Sequence, residues 1–267
     1  MKVSQKKDVA RLSYKISGIG CPLIFIHGWA ADSMIWNDVT KKLSDNFMTI
    51  TVDLRGCGLS GWKSCADFIY SSAEDVNSLI GKLGLKDAVI IGWSLGGMVA
   101  MRVASLFVEN IKKLILVSTT PKFVKDETFV FGAERGAFLY MKKTLLNNPA
   151  KTLEDFKDTL LRDSEKNPVN LKKFNRLFSK VRPQSMDVLL GSFESLEKLD
   201  LRDEIKNINL PTLIIHGKDD NICLYKAAEF MKENIKNSLL KGFDGAGHMP
   251  VITKEEDFIF EVKKFLK

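Results

Sequence analysis

Gly92-Trp93-Ser94-Leu95-Gly96 places a serine between two glycines, after the apolar run 87–92 and before the amphipathic stretch 95–108. A strand that turns abruptly into a helix needs glycines there, because a Cβ at either site would crowd the turn. Such a turn lifts the Ser94 hydroxyl above a sheet, at the positive end of the following helix. The chemistry this suits is nucleophilic attack on an acyl carbon, and a serine hydroxyl needs a base for it.

The chain has three histidines, so the search for that base is short. His248, in Gly245-Ala246-Gly247-His248-Met249-Pro250, follows the last strand-like segment and is assigned as the base. His27 and His216 each end a strand-like segment and are read as supports for turns. An acid must hold the imidazole Nδ1–H and stabilise the developing imidazolium. His216-Gly217-Lys218-Asp219-Asp220 offers two candidates; Asp220 is preferred, with Asp219 as the alternative. The order Ser94, Asp220, His248 is the one expected for a nucleophile on a strand-to-helix turn. Oxyanion donors are expected from the backbone N–H groups of Leu95 and of Trp29, which follows His27-Gly28. Asp53-Leu54-Arg55-Gly56-Cys57-Gly58 reads as a structural turn in which an Asp–Arg pair ties loops together.

These residues need a sheet to hold them. Strand-like segments at 22–27, 47–53, 87–92, 113–118, 211–216 and 238–243 alternate with helical segments at 34–46, 72–83, 95–108, 223–235 and 254–266. That alternation implies a parallel, doubly wound α/β sheet. It lapses at Pro121 and resumes near 197. The expected organisation is therefore a core of residues 1–120 and 197–267, with 121–196 inserted as a helical lid over the sheet's carboxyl edge.

The 267 residues carry 40 Lys+Arg against 33 Asp+Glu, a net charge of +7. Within 121–190 the counts are 14 and 9, so most of the excess lies in the insert. No nucleic-acid motif accompanies it. The apolar runs are too short to span a bilayer, and the opening segment lacks the apolar stretch of an export signal. The four cysteines are dispersed without CxxC spacing, which fits a reduced, cytoplasmic setting. No HxH, HExxH, GxGxxG or Walker pattern occurs, so neither metal nor nucleotide cofactor is expected.

HGW at 27–29, DLRGCGLS at 53–60, GWSLGG at 92–97, HGKDD at 216–220 and GAGHMP at 245–250 resemble the α/β-hydrolase superfamily over essentially the whole chain. The resemblance implies an eight-stranded, mostly parallel sheet, with 1–20 supplying the first hairpin. Within the superfamily, Trp29, Trp93, the segment 118–123 and the segment 199–202 are most similar to the pimeloyl-[acyl-carrier protein] methyl ester esterases of biotin synthesis. That resemblance implies a monomeric serine carboxylesterase acting through an acyl-enzyme on a small acyl ester. It also implies presentation of that ester by an acidic acyl-carrier protein that meets a basic lid. Trp29, Trp93, Phe123, Phe138 and Phe156 are expected to line the acyl site. Lys151, Arg162, Lys172, Lys173 and Arg176 are docking candidates chosen on charge. A general short-chain esterase, or a C–C hydrolase or lyase of quinone synthesis, is the alternative.

Overall fold

The computed structural model describes residues 9–267. Seven strands form one sheet in the order β1-β3-β2-β4-β5-β6-β7. β1 (Tyr14–Ser17) runs antiparallel to β3 (Met48–Val52). β2 (Pro22–Ile26), β3, β4 (Ala88–Trp93), β5 (Ile111–Val117), β6 (Thr212–Gly217) and β7 (Ser238–Phe243) pair in parallel. The expected eight strands are thus seven among the described residues. Of the expected hairpin in 1–20, only β1 is a strand there, and residues 1–8 lie outside the described part.

The central strands are buried on both sides, so they read as continuous apolar runs. Their alternate residues feed two cores: Ile24, Ile26 and Ile90 face one, and Leu23, Phe25 and Ile91 the other. The first is covered by α2 (Phe68–Lys82), α3 (Leu95–Leu106) and α8 (Tyr225–Asn234). The second is covered by α1 (Asn37–Leu43), α9 (Pro250–Thr253) and α10 (Glu255–Leu266). α2 starts a turn earlier than its periodicity suggests, because the Asp67 carboxylate accepts from Tyr70 N and caps it. α1 starts later, since Ser33–Trp36 winds as a 3-10 turn capped by Asp32.

The chain leaves β2 in one direction to make β3 and returns on the other side to make β4. The crevice above β2 and β4 is therefore the topological switch point, where open α/β sheets hold ligands. Between β5 and β6 stand α4 (Arg135–Asn147), α5 (Pro149–Thr159), α6 (Pro168–Phe178) and α7 (Met186–Lys198). Asn148 and Asn167 cap α5 and α6, each followed by a proline that fits the first helical position. The neck of this insert is closed where Leu201 N donates to Pro121 O at 2.8 Å and Lys122 bridges Asp200 at 2.9 Å.

Candidate active site

β4 delivers Ser94 to the switch point in a strained conformation, φ 55° and ψ −122°. The left-handed φ is costly for a residue with a Cβ and persists because its surroundings fix it. Ser94 N donates to Val117 O at 2.9 Å, and Thr119 Oγ1 donates to Ser94 O at 2.7 Å. The flanking glycines are required by contact. A Cβ on Gly92 would lie 2.3 Å from Gly96 O, and one on Gly96 would lie 2.4 Å from His27 O. The Ser94 side chain does not cap α3 and is free to point elsewhere.

It points at His248. Ser94 Oγ lies 2.9 Å from His248 Nε2, and His248 Nδ1 lies 2.8 Å from Asp220 Oδ2. The other carboxylate oxygen, Oδ1, accepts from Ile222 N at 2.9 Å and Cys223 N at 3.0 Å. With Asp220 accepting, Nδ1 carries the His248 proton and Nε2 presents a lone pair to the serine hydroxyl. Burial pushes the Asp220 carboxyl up. The charge of His248 and hydrogen bonds from His216 and His248 more than reverse this, leaving it well below the usual carboxylate range. Asp219, the alternative acid, is exposed and away from the imidazole, its N–H bonded to Ala246 O. Trp93 holds the His248 loop from beneath: its Nε1–H donates to His248 O at 2.9 Å.

Gly28 brings the β2 loop against the serine, since a Cβ there would come 3.1 Å from Ser94 Cβ. Trp29 is the next residue on that loop. Leu95 N–H lies in the first turn of α3, where helix amides lack intrahelical acceptors. The Trp29 ring is buried and fixed by an Nε1 hydrogen bond to Leu189 O at 3.2 Å.

Four of the five expected acyl-site aromatics lie in one cluster, while Trp93 packs in the other core against His248. Trp29 meets Phe156 edge-on at 4.9 Å between centroids, and Phe123 meets Phe138 at 6.0 Å. Phe193 on α7 joins them, 5.3 Å from Trp29 and stacked on Phe138 at 4.1 Å. It escaped the sequence reading, although the buried i, i+4, i+7 face of Leu189, Phe193 and Leu196 marks it. Phe156 also lines a cavity of about 380 Å³ between α4 and α5.

The other two histidines have separate places. His27 Nε2 accepts from Leu54 N at 3.0 Å while Nδ1 donates to Gly28 O at 2.9 Å. Burial lowers its pKa, so it is a neutral brace for two loops. His216 stands behind Asp220, its Nε2 2.6 Å from Cys223 O. Burial, with the Asp220 charge beside it, pushes the Cys223 thiol well up, so it stays neutral.

Two expectations need correction. Arg55 does not pair with Asp53; it makes a buried, bidentate bridge to Asp75 at 2.7 and 2.8 Å. Asp53 instead accepts from Ser33 N and Leu59 N. Each still ties loops, through a different partner. The docking candidates also divide. Lys173 is bound to Glu255, Arg176 to Asp38 and Lys151 to Asp155. Arg162 packs against Gly247, where a Cβ would lie 2.9 Å from Arg162 Cγ. Lys172 is exposed and without an ion pair among the described residues, as are Lys143, Lys180 and Arg182. Among those residues no group of His, Cys, Asp and Glu could hold a metal ion. No helix there is long and apolar enough to cross a membrane.

A family model described as the alpha/beta hydrolase fold matches residues 22–255. The chain belongs to the alpha/beta hydrolase family. It is 30% identical over 251 residues to a pimeloyl-[acyl-carrier protein] methyl ester esterase of Nitrosomonas europaea, covering 94% of this chain and 98% of that protein. A protein of the same description from Wigglesworthia glossinidia brevipalpis is 31% identical over 267 residues, covering 95% and 97%. Among solved structures of the hydrolase fold, an esterase from Exiguobacterium antarcticum is 27% identical. It superposes with a TM-score of 0.88, covering 96% of this chain and 95% of that one.

Proposed function

We propose that this protein is a serine esterase that hydrolyses the methyl ester of a pimeloyl chain carried on acyl-carrier protein, in biotin precursor synthesis. The observation that carries the reading is the hydrogen-bonded line from Ser94 through His248 to Asp220 beside an aromatic cluster. The relatives' shared description supplies the substrate class.

Ser94 Oγ attacks the ester carbonyl carbon as its proton passes to His248 Nε2. Asp220 stabilises the imidazolium. The carbonyl oxygen, now an oxyanion, is received by the N–H groups of Leu95 and Trp29, each such donor contributing about 3 kcal/mol. Collapse breaks the bond to the methoxy group, which leaves as methanol with the proton from His248. Water, deprotonated by the same nitrogen, then releases the free carboxylate and restores Ser94. The ring cluster of Trp29, Phe156, Phe193 and Phe138 houses the acyl chain, and Trp93 seats the His248 loop rather than the chain.

The helices between β5 and β6 act as a lid, and their basic face receives an acidic carrier. Lys143, Lys172, Lys180 and Arg182 replace most of the candidates named from charge, because their own charges are not already neutralised. The enzyme works as a cytoplasmic monomer without metal or cofactor.

A paired assay tests the reading. Wild type and Ser94→Ala are given pimeloyl-carrier methyl ester and a short p-nitrophenyl ester. Preferential, Ser94-dependent cleavage of the carrier-linked ester, weakened by Lys172→Glu with Arg182→Glu and by added salt, is the expected result. Turnover of the short ester alone would remove the carrier and the pathway and leave a general esterase.

A further inference from the structure

His216 is fully buried at the end of β6, opposite Gly242 of β7. Its Nε2 has two acceptors in reach: Cys223 O at 2.6 Å and Asp220 Oδ2 at 3.3 Å. That carboxylate oxygen is the one that receives His248 Nδ1–H at 2.8 Å. The opposite nitrogen, Nδ1, is buried without a hydrogen-bond partner. Two acceptors at one nitrogen and none at the other put the proton on Nε2. A leucine here would fill the strand end without burying an orphan nitrogen, so filling space does not explain the imidazole. What the ring adds is a donor seated between Cys223 O and the back of the acid.

We propose that His216 is a positioning residue of the triad. Its Nε2–H, between Cys223 O and Asp220 Oδ2, shares that carboxylate oxygen with His248 and so weakens the hold of Asp220 on the His248 ring. Three N–H groups are hydrogen-bonded to Asp220, His248 on Oδ2 and Ile222 and Cys223 on Oδ1, and His216 Nε2 adds a longer contact at 3.3 Å on Oδ2. Removing the His216 donor leaves Oδ2 to His248 alone, strengthens that bond and stabilises the imidazolium. Other titratable groups near the pair are few. The Cys223 thiol lies beside Asp220, and the Tyr225 ring meets His216 at 6.1 Å. Lys218 and Tyr225 share the space over Gly242, and Glu165 of the insert lies against Gly247.

This rests on the serine-esterase reading only for its kinetic arm. The full-length protein with labelled histidines gives three ring signals for NMR titration, because the chain has three histidines. His216→Phe and His216→Met remove the donor, and the methionine guards against a phenylalanine that does not fit. His216→Gln keeps an N–H near the Nε2 position. The donor-free variants should raise the His248 midpoint by about half a unit or more, and the glutamine variant should stay within about 0.2 unit of wild type. The acid limb of kcat/KM for p-nitrophenyl acetate should move up by the same amount. A His248 midpoint unchanged in the donor-free variants, or shifted equally by glutamine, would overturn the proposal. Absence of Ser94-dependent turnover in wild type would refute the esterase reading instead and leave the NMR result standing.

Discussion

Replacing Asp220 with asparagine changes one atom and inverts the hydrogen-bond logic of the site. Oδ1 already accepts from Ile222 N and Cys223 N, so the asparagine carbonyl keeps that position. Its NH2 group then replaces Oδ2, facing His248 Nδ1 at 2.8 Å and His216 Nε2 at 3.3 Å. Two donors cannot face each other, so His248 must present a lone pair at Nδ1 and carry its proton on Nε2. In that tautomer the ring donates to Ser94 Oγ and cannot take its proton. The expected loss in kcat is about 10⁴-fold, equivalent to about 5.5 kcal/mol of barrier. Residual turnover should come from the Leu95 and Trp29 N–H groups. The assay is p-nitrophenyl ester hydrolysis at matched protein concentration, alongside melting to confirm folding. A folded Asp220→Asn enzyme within tenfold of wild-type kcat would refute the tautomer argument.

Gly96→Ala drives a Cβ to 2.4 Å from His27 O and 2.5 Å from Ile26 O, backbone atoms that cannot yield. It should destabilise by about 3 kcal/mol, read as a fall in melting temperature of about 6–12 °C; an unchanged value would contradict the packing account. Arg55→Met strands the buried Asp75 carboxylate and should cost about 3–5 kcal/mol in urea unfolding; a loss below about 1 kcal/mol would show the bridge to be dispensable. Asp220 is held below its unfolded value of about 3.9, so its ionic contribution to stability is complete above that pH. It is lost as pH falls through the lower folded value, so the stability gap between wild type and Asp220→Asn should narrow below about pH 4. A gap constant from pH 6 to 2 would refute this linkage.

The core was legible in the sequence because its signals are local. β2, β4 and β6 are short apolar runs stopped by glycine or followed by a sharp turn, and each ends beside a functional residue. Ser94, Asp220 and His248 could be ordered along the chain because sheet topology fixes which loops share an edge. The insert was less legible. Its docking charges cannot be chosen by counting, since Lys173 is neutralised by Glu255 and Arg176 by Asp38, residues far away in sequence. Asp53 and Arg55 stand two residues apart, which would put them on one face of an extended strand, but the chain turns at Arg55–Gly56, where Gly56 has φ 71°, and each binds a different loop. His216 looked like a strand-end support because nothing local shows that its Nε2 meets the acid.

The closed neck of the insert makes the middle of this chain an exchangeable part. The chain leaves the sheet and rejoins it through the same bridge, Pro121 with Leu201 and Lys122 with Asp200. The sheet therefore senses a fixed end-to-end distance, whatever length of chain runs between. Doubling a closed loop adds only about 0.6 kcal/mol of closure entropy. Under the proposed esterase mechanism, that freedom lets the stretch change in length and sequence while Ser94, His248 and Asp220 keep their places. Contacts with the core limit that freedom: Trp29 Nε1 donates to Leu189 O, Lys173 pairs with Glu255 and Arg176 with Asp38. Glu165 accepts from Thr253 Oγ1 at 2.6 Å and presses on Gly247, beside the base. A transplanted insert that omits it would keep the fold and leave His248 without its outer wall.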